Sequence, residues 1–194
     1  VKVGAETRLR VPVHTLCGIV CFGQVLCSPA LLGFCAERGV SVSFLSERGR
    51  FLARIEGPTS GNVLLRREQY RRSDDPAASA RLAQASVSAK VFNARLVLMR
   101  AARDHTESQG RPEIETAASR LGQVLDDLKR DRELDVVRGM EGDAARVYFG
   151  VFDHLITTQK EDFFFRERTR RPPLDSMNAL LSFLYSILVH DCRS

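Results

Sequence analysis

Apolar residues change their period along this chain. Up to about residue 57 they alternate or bunch in short runs, and from Asn62 onward they recur every three or four positions. The first regime predicts strands and the second helices. Gly18 to Phe22 reads as one strand. Val40 to Leu45 sets Val40, Val42 and Phe44 against Ser41 and Ser43, and Phe51 to Ile55 reads as a third strand. Glu47-Arg48-Gly49-Arg50 and Gly57-Pro58 supply turn residues between and after them. Between the first two strands, Ser28 as N-cap, Pro29 at the first helical position and Gly39 beyond the end predict one short helix.

In the second regime Asn62 is placed to cap a helix from Val63 to about Arg72, and Asp74-Asp75-Pro76 breaks it before a long one. Leu82, Ala85, Ala89, Phe92, Leu96 and Met99 form the apolar stripe from which a buried face is expected. Ile114, Ala118, Leu121, Leu125 and Leu128 repeat the pattern. A further helix carries Glu141, Ala145, Tyr148, Phe152 and Leu155 on one face, and a last one runs from about Asp175 to His190. The fold class expected is α+β, with a small N-terminal β-domain (1–57), a linker (58–61) and an all-α helical domain (62–194).

Composition changes little in this picture. Of 194 residues 44% are hydrophobic and 27% charged, which is ordinary for a globular protein. No run of about 18 apolar residues occurs, which argues against a membrane-spanning helix. The five cysteines include no Cys-x-x-Cys, so neither a disulfide framework nor a zinc site is supported, and reduced thiols in a cytoplasmic protein are expected. Charge is more informative. Through Arg103 there are 16 Lys and Arg against 7 Asp and Glu, whereas from Asp104 there are 13 against 17. Arginine supplies 25 of the 29 cations, and its planar fork suits phosphate. A polyanionic partner and a solvated Arg-rich surface both fit this balance.

Glu141 is the first candidate for chemistry. The stripe points it toward the core, where a carboxylate needs a counter-charge, a proton or a metal ion. On the last helix Asn178, Ser182 and Tyr185 are spaced four and three apart, as a polar line on an otherwise apolar surface. They serve either inter-helix hydrogen bonding or the lining of a polar site. Upstream, Phe163-Phe164-Phe165 precedes Arg166, Arg168, Arg170 and Arg171 and the Pro172-Pro173 stop. Phenylalanines could anchor such a loop while its arginines grip phosphates or stay solvated. Arg66, with Gln69, sits on the first helix of the bundle. Gly57 to Arg67 lacks the Gly-Lys-Ser/Thr ending of a P-loop. His14, His105, His154 and His190 show no metal-pair spacing with Glu141.

Taken together, Ile19-Val20-Cys21-Phe22-Gly23, Ser28-Pro29-Ala30-Leu31-Leu32, Gly49-Arg50-Phe51-Leu52-Ala53-Arg54, Gly61-Asn62-Val63-Leu64-Leu65-Arg66, Arg138-Gly139-Met140-Glu141-Gly142, and Arg170-Arg171-Pro172-Pro173 with Asn178 to Phe183 resemble the universal CRISPR-associated integrase family. This is the first-numbered Cas protein, and the likeness is to its type I-C branch. The resemblance implies an N-terminal β-domain, a C-terminal helical domain and a homodimer. It also implies metal-dependent phosphodiester transfer, in which the 3′-hydroxyl of a prespacer DNA end attacks the edge of a CRISPR repeat. The cofactor would be Mg²⁺ or Mn²⁺, held by a Glu, a His and an Asp, and the usual partner a small ferredoxin-like Cas protein. Glu141 carries over as catalytic residue and metal ligand, Asn178, Ser182 and Tyr185 as site lining, and Arg66, Arg166, Arg168, Arg170 and Arg171 as DNA contacts. The family's His and Asp ligands follow the last helix, and His190 and Asp191 do not match them, so the chain reads as a member present only in part. A non-catalytic DNA-binding and dimerisation module is the alternative, and a helical scaffold without nucleic acid a third.

Overall fold

A computed structural model describes residues 1–57, 61–104 and 110–193. The expected linker (58–61) is thus described only at Gly61, and His105 lies outside the described residues. The chain divides into two compact units, Val1–Gly61 with Ala179–Ser194, and Asn62–Asn178. The sequence placed 62–194 in one helical domain; the structure groups the last sixteen residues with the β unit instead.

In the β unit, β1 (Lys2–Val3) and β2 (Glu6–Thr7) form a short antiparallel hairpin that sequence periodicity did not reveal. Then β3 (Gly18–Phe22), α1 (Pro29–Glu37) and β4 (Ser41–Leu45) make a parallel crossover, and β5 (Phe51–Ile55) returns antiparallel to β4. The caps act as expected: Ser28 Oγ accepts from Leu31 N–H at 3.2 Å, and Gly39 follows the helix at φ 68°. Cys35, Val40 and Val42 are buried among Ile19, Leu31, Leu32 and Ile55. Strand β4 departs from its predicted alternation, because Ser43 and Leu45 on the opposite face are buried too. The last helix, α6 (Ser176–Arg193), supplies packing inside this unit: Phe183 meets Phe22 with ring centroids 5.5 Å apart, and Ser186 lies against Gly49. This explains why its C-terminal part belongs with the sheet.

All five cysteines are free. Cys21 and Cys27 sulfurs lie 3.9 Å apart, and burial, helped by that neighbour, pushes the Cys21 thiol up to about 11.

The helical unit contains α2 (Val63–Ser73), α3 (Pro76–Asp104), α4 (Arg111–Asp127) and α5 (Leu134–Gly150). Asn62 Oδ1 accepts from Leu64 N–H at 2.9 Å and Leu65 N–H at 3.3 Å, which starts α2 as predicted. The core joins Val87, Val91, Leu98 and Ala102 of α3 to Ile114, Leu121 and Val124 of α4 and Val137 and Ala144 of α5. Leu98 and Leu121 are fully buried, each contributing about 1.5–3 kcal/mol of apolar transfer.

One expectation is overturned here. On α3 the stripe Leu82, Phe92, Leu96 and Met99 is exposed, at 46–58%. The buried face is the neighbouring one, built from smaller residues: Ala80, Ala83, Val87, Val91, Ala94, Leu98 and Ala102. Alanine and valine allow α4 and α5 to approach α3 closely, and close packing outweighs side-chain size in choosing the face. On α4 the expected stripe is the observed one.

Candidate functional site

Helix α5 starts after Glu133, with Asp135 in its first turn, where the helix dipole favours a carboxylate. Its buried side is set by Val137 and Ala144, with Met140, Val147, Tyr148 and Val151 packed beside them. Glu141 is four residues after Val137 and three before Ala144, so it lies on the rim of this stripe. Its side chain is 40% exposed. The sequence pointed it into the core; the structure puts it at the open edge of the α3–α5 seam. Burial therefore does not demand a metal ion there.

Its partner comes from α3. Lys90, one residue before the buried Val91, places Nζ 2.5 Å from Glu141 Oε1, with its own side chain 56% exposed. An ion pair this open contributes at most about 1 kcal/mol to stability. Stability alone is a weak reason for two opposite charges to meet between helices 51 residues apart in sequence. Sequence reasoning missed Lys90 because nothing local links it to Glu141. The available signal was its rarity: four lysines stand among 25 arginines.

Elsewhere on α5 the carboxylates pair with arginines. Asp143 meets Arg120 at 3.6 Å and also Arg146, while Arg138 donates to Asp135 at 2.6 Å. Gly142 follows Glu141, and a Cβ built on it meets nothing within 4 Å, whereas Gly139 lies on the opposite, α4-facing side of the helix. The surface beside the carboxylate is unobstructed by this unit.

A Mg²⁺ or Mn²⁺ ion takes several oxygen ligands. Glu141 offers one carboxylate, already facing an ammonium, and among the described residues no group of three or more His, Cys, Asp or Glu converges. The described residues do not fit such an ion by themselves. His154 packs on Gly110 at the head of α4, and the side chain of His190 lies outside the described residues.

The second polar centre of this unit surrounds Asn178, which is fully buried. Its Oδ1 accepts from Arg168 Nη1 at 2.7 Å and from Thr169 N–H at 3.0 Å. Its Nδ2 donates to Glu167 O at 2.9 Å and Asp175 Oδ2 at 2.7 Å. Asp175 Oδ1 in turn accepts Asn178 N–H at 2.7 Å, which starts α6. The amide is saturated by the loop that precedes its own helix. It acts as a clamp on residues 167–175, and Arg168, expected to grip DNA, directs its guanidinium into that clamp.

Around the same loop, Phe165 is buried and packs on Phe152 and Phe149 at 4.8 and 5.6 Å, and its N–H donates to Asp153 Oδ1 at 2.8 Å. Arg166 lies over the exposed Phe164 ring at 5.4 Å. Arg170 and Arg171 are exposed, and Arg66 is half-buried on α2. Ser182 and Tyr185 belong to the β unit, where Ser182 O accepts from Ser186 Oγ at 2.9 Å and Tyr185 is 44% exposed.

These features define an α+β protein in which a small β region is followed by a helical unit with a half-exposed carboxylate, Glu141, paired across the α3–α5 seam. The family model for CRISPR associated protein Cas1 matches residues 1–194, and the chain belongs to the Cas1 family. It is 47% identical over 194 residues to a CRISPR-associated endonuclease Cas1 of Chlorobaculum tepidum, covering all of this chain and 57% of the relative. It is 47% identical over 189 residues to one from Rhodospirillum rubrum, covering 95% of this chain and 54% of the relative. Among solved structures, a casposase bound to an integration product shares the fold with a TM-score of 0.69 at 24% identity, over 88% of this chain and 46% of that one. The chain therefore spans little more than half the length of the curated relatives it matches. Among the described residues, no helix is long and apolar enough to cross a membrane.

Proposed function

We propose that this chain is part of a Cas1 enzyme of the type I-C branch that cuts and joins DNA during CRISPR adaptation, with Glu141 as the functional carboxylate of its helical unit. The observation that carries the proposal is the match of the whole chain to the Cas1 family, together with a carboxylate at an open helix seam. The reaction class needs little from a protein beyond placement and charge. A 3′-hydroxyl oxygen forms a bond to phosphorus as the bond to the leaving 3′-oxygen breaks, so one phosphodiester replaces another and no external energy is required. Placement and electrostatic stabilisation of the phosphate supply such a reaction's acceleration.

In the full-length protein a divalent cation, Mg²⁺ or Mn²⁺, is the cofactor we propose, with Glu141 as one ligand and the others outside these described residues. DNA (prespacer and repeat), a second copy of the protein and a small ferredoxin-like Cas protein are the proposed partners, in the cytoplasm. Arg66, Arg166, Arg170 and Arg171 are the proposed phosphate contacts. The geometry of Asn178 and Arg168 supports holding the loop in place. A lining role for Ser182 and Tyr185 rests on the family resemblance alone.

Joining of a 3′-hydroxyl DNA end to repeat DNA by the full-length protein in Mn²⁺ tests this reading. Glu141→Ala should reduce joining by more than about 10³-fold, a loss typical of a group acting on the transition state, with DNA binding kept. Undiminished joining would remove Glu141 from the mechanism. The second reading, a DNA-binding and dimerisation module without catalysis, is favoured by the basic first half of the chain. It predicts binding that weakens with salt and no joining at all by wild-type full-length protein.

A further inference from the structure

Lys90 is the cation of the helical unit whose pairing has the least structural explanation. Arg146 binds Asp143 and Arg138 binds Asp135 within α5, and Arg120 of α4 reaches Asp143 only at 3.6 Å. Lys90 instead reaches from α3 to Glu141 on α5. An ammonium carries three N–H donors. One meets Glu141 Oε1, and with 56% of the side chain exposed the other two face solvent. The carboxylate thus fixes the position of the ammonium while leaving most of its donor capacity available. In sequence next to Glu141, α5 keeps Gly142 in its interior, at a cost of about 1 kcal/mol relative to alanine. An added Cβ there would meet no described atom within 4 Å, so packing among the described residues does not require a glycine. What Gly142 leaves is room for a bulky group to approach the α5 backbone one residue from Glu141.

We propose that Lys90 is the phosphate-binding residue of the Glu141 site: held by Glu141 across the α3–α5 seam, its ammonium donates its remaining N–H groups to an oxygen of a DNA phosphodiester. The proposal rests on the reading of Glu141 as the site of DNA chemistry. Lys90 engages only Oε1 of Glu141, so Oε2 stays available to the proposed cation, while the ammonium neutralises charge on the phosphate, where a positioned donor is worth most. An exposed ion pair serving only to join two helices would make neither contact.

Full-length wild type, Lys90→Met, Lys90→Arg and Glu141→Ala are compared by salt titration of binding to a branched DNA duplex and by rate of 3′-end joining. Loss of one phosphate contact should lower the slope of log affinity against log salt by about 0.9 in Lys90→Met. Joining by that variant should fall on the order of 10²-fold, as when one transition-state donor is removed. Lys90→Arg should restore the slope, and Glu141→Ala, which keeps the ammonium but removes its anchor, should lower it by less than Lys90→Met does. Melting temperatures confirm that the variants fold; methionine is a good helix former at this half-exposed position. An unchanged slope in Lys90→Met overturns the proposal whatever happens to joining. Joining by Glu141→Ala at the wild-type rate would instead overturn the underlying reading of the site, so the two failures are told apart.

Discussion

The helical unit holds two polar centres that differ in every physical respect. Asn178 is sealed from solvent and saturated: five hydrogen bonds tie its side chain and N–H to Glu167, Arg168, Thr169 and Asp175. The Glu141–Lys90 pair is half-exposed and unsaturated, with one contact between two groups that can make several. A saturated buried amide is costly to disturb and has nothing left to offer a ligand. An open charge pair is worth little to the fold and keeps its capacity for other partners. The contrast makes Asn178 a structural centre and leaves the Glu141–Lys90 pair as the one able to take a further partner.

The contrast breaks most readily at Asn178. Asn178→Ala should destabilise the helical unit by about 2–4 kcal/mol, because Arg168 and Asp175 lose a buried partner; urea unfolding would measure it, and a change below about 0.5 kcal/mol would mean the clamp is not structural. Gly110→Ala comes next. Its added methyl would lie 2.8 Å from His154 Cβ, so a loss of about 1–3 kcal/mol is expected in the same measurement. Gly142→Ala should act in the opposite direction. With open space at its Cβ it should stabilise α5 by about 1 kcal/mol while slowing DNA joining, a stability–activity conflict that a purely structural seam would not show. Smallest is the stability effect of Glu141→Ala, under about 1 kcal/mol in thermal unfolding, the value for an exposed pair. A loss of several kcal/mol there would move Glu141 into the same category as Asn178.

Much of the fold was legible because local chemistry dictated it. Ser28, Pro29, Gly39 and Asn62 mark helix ends by mechanisms that need no tertiary partner, and the predicted ends are the observed ones. The buried face of α3 was not legible. That helix carries two apolar stripes, and the larger side chains of Leu82, Phe92 and Leu96 dominate the periodicity while the smaller Val87, Val91 and Ala94 make the core. Which face wins depends on what α4 and α5 present, which no window of α3 contains. The site divided in the same way. Glu141 stood out as a carboxylate on an apolar stripe, but its exposure and its partner Lys90 are tertiary facts. The arginines of the 166–171 loop looked equivalent in sequence, yet Arg168 alone among them bonds Asn178. Grouping of 179–194 with the sheet depends on Phe183 and Ser186 finding Phe22 and Gly49.

The central claim is that DNA chemistry takes place at the Glu141–Lys90 seam and not at the Asn178 clamp. A structure of the full-length protein with a strand-transfer DNA product tests it most directly. The account predicts a DNA phosphate oxygen within hydrogen-bond reach of Lys90 Nζ, about 2.7–3.2 Å, with the Glu141 carboxylate beside it and the Asn178 hydrogen bonds unchanged. A phosphate held by Arg168 with the clamp opened, and no DNA near Glu141, would contradict it.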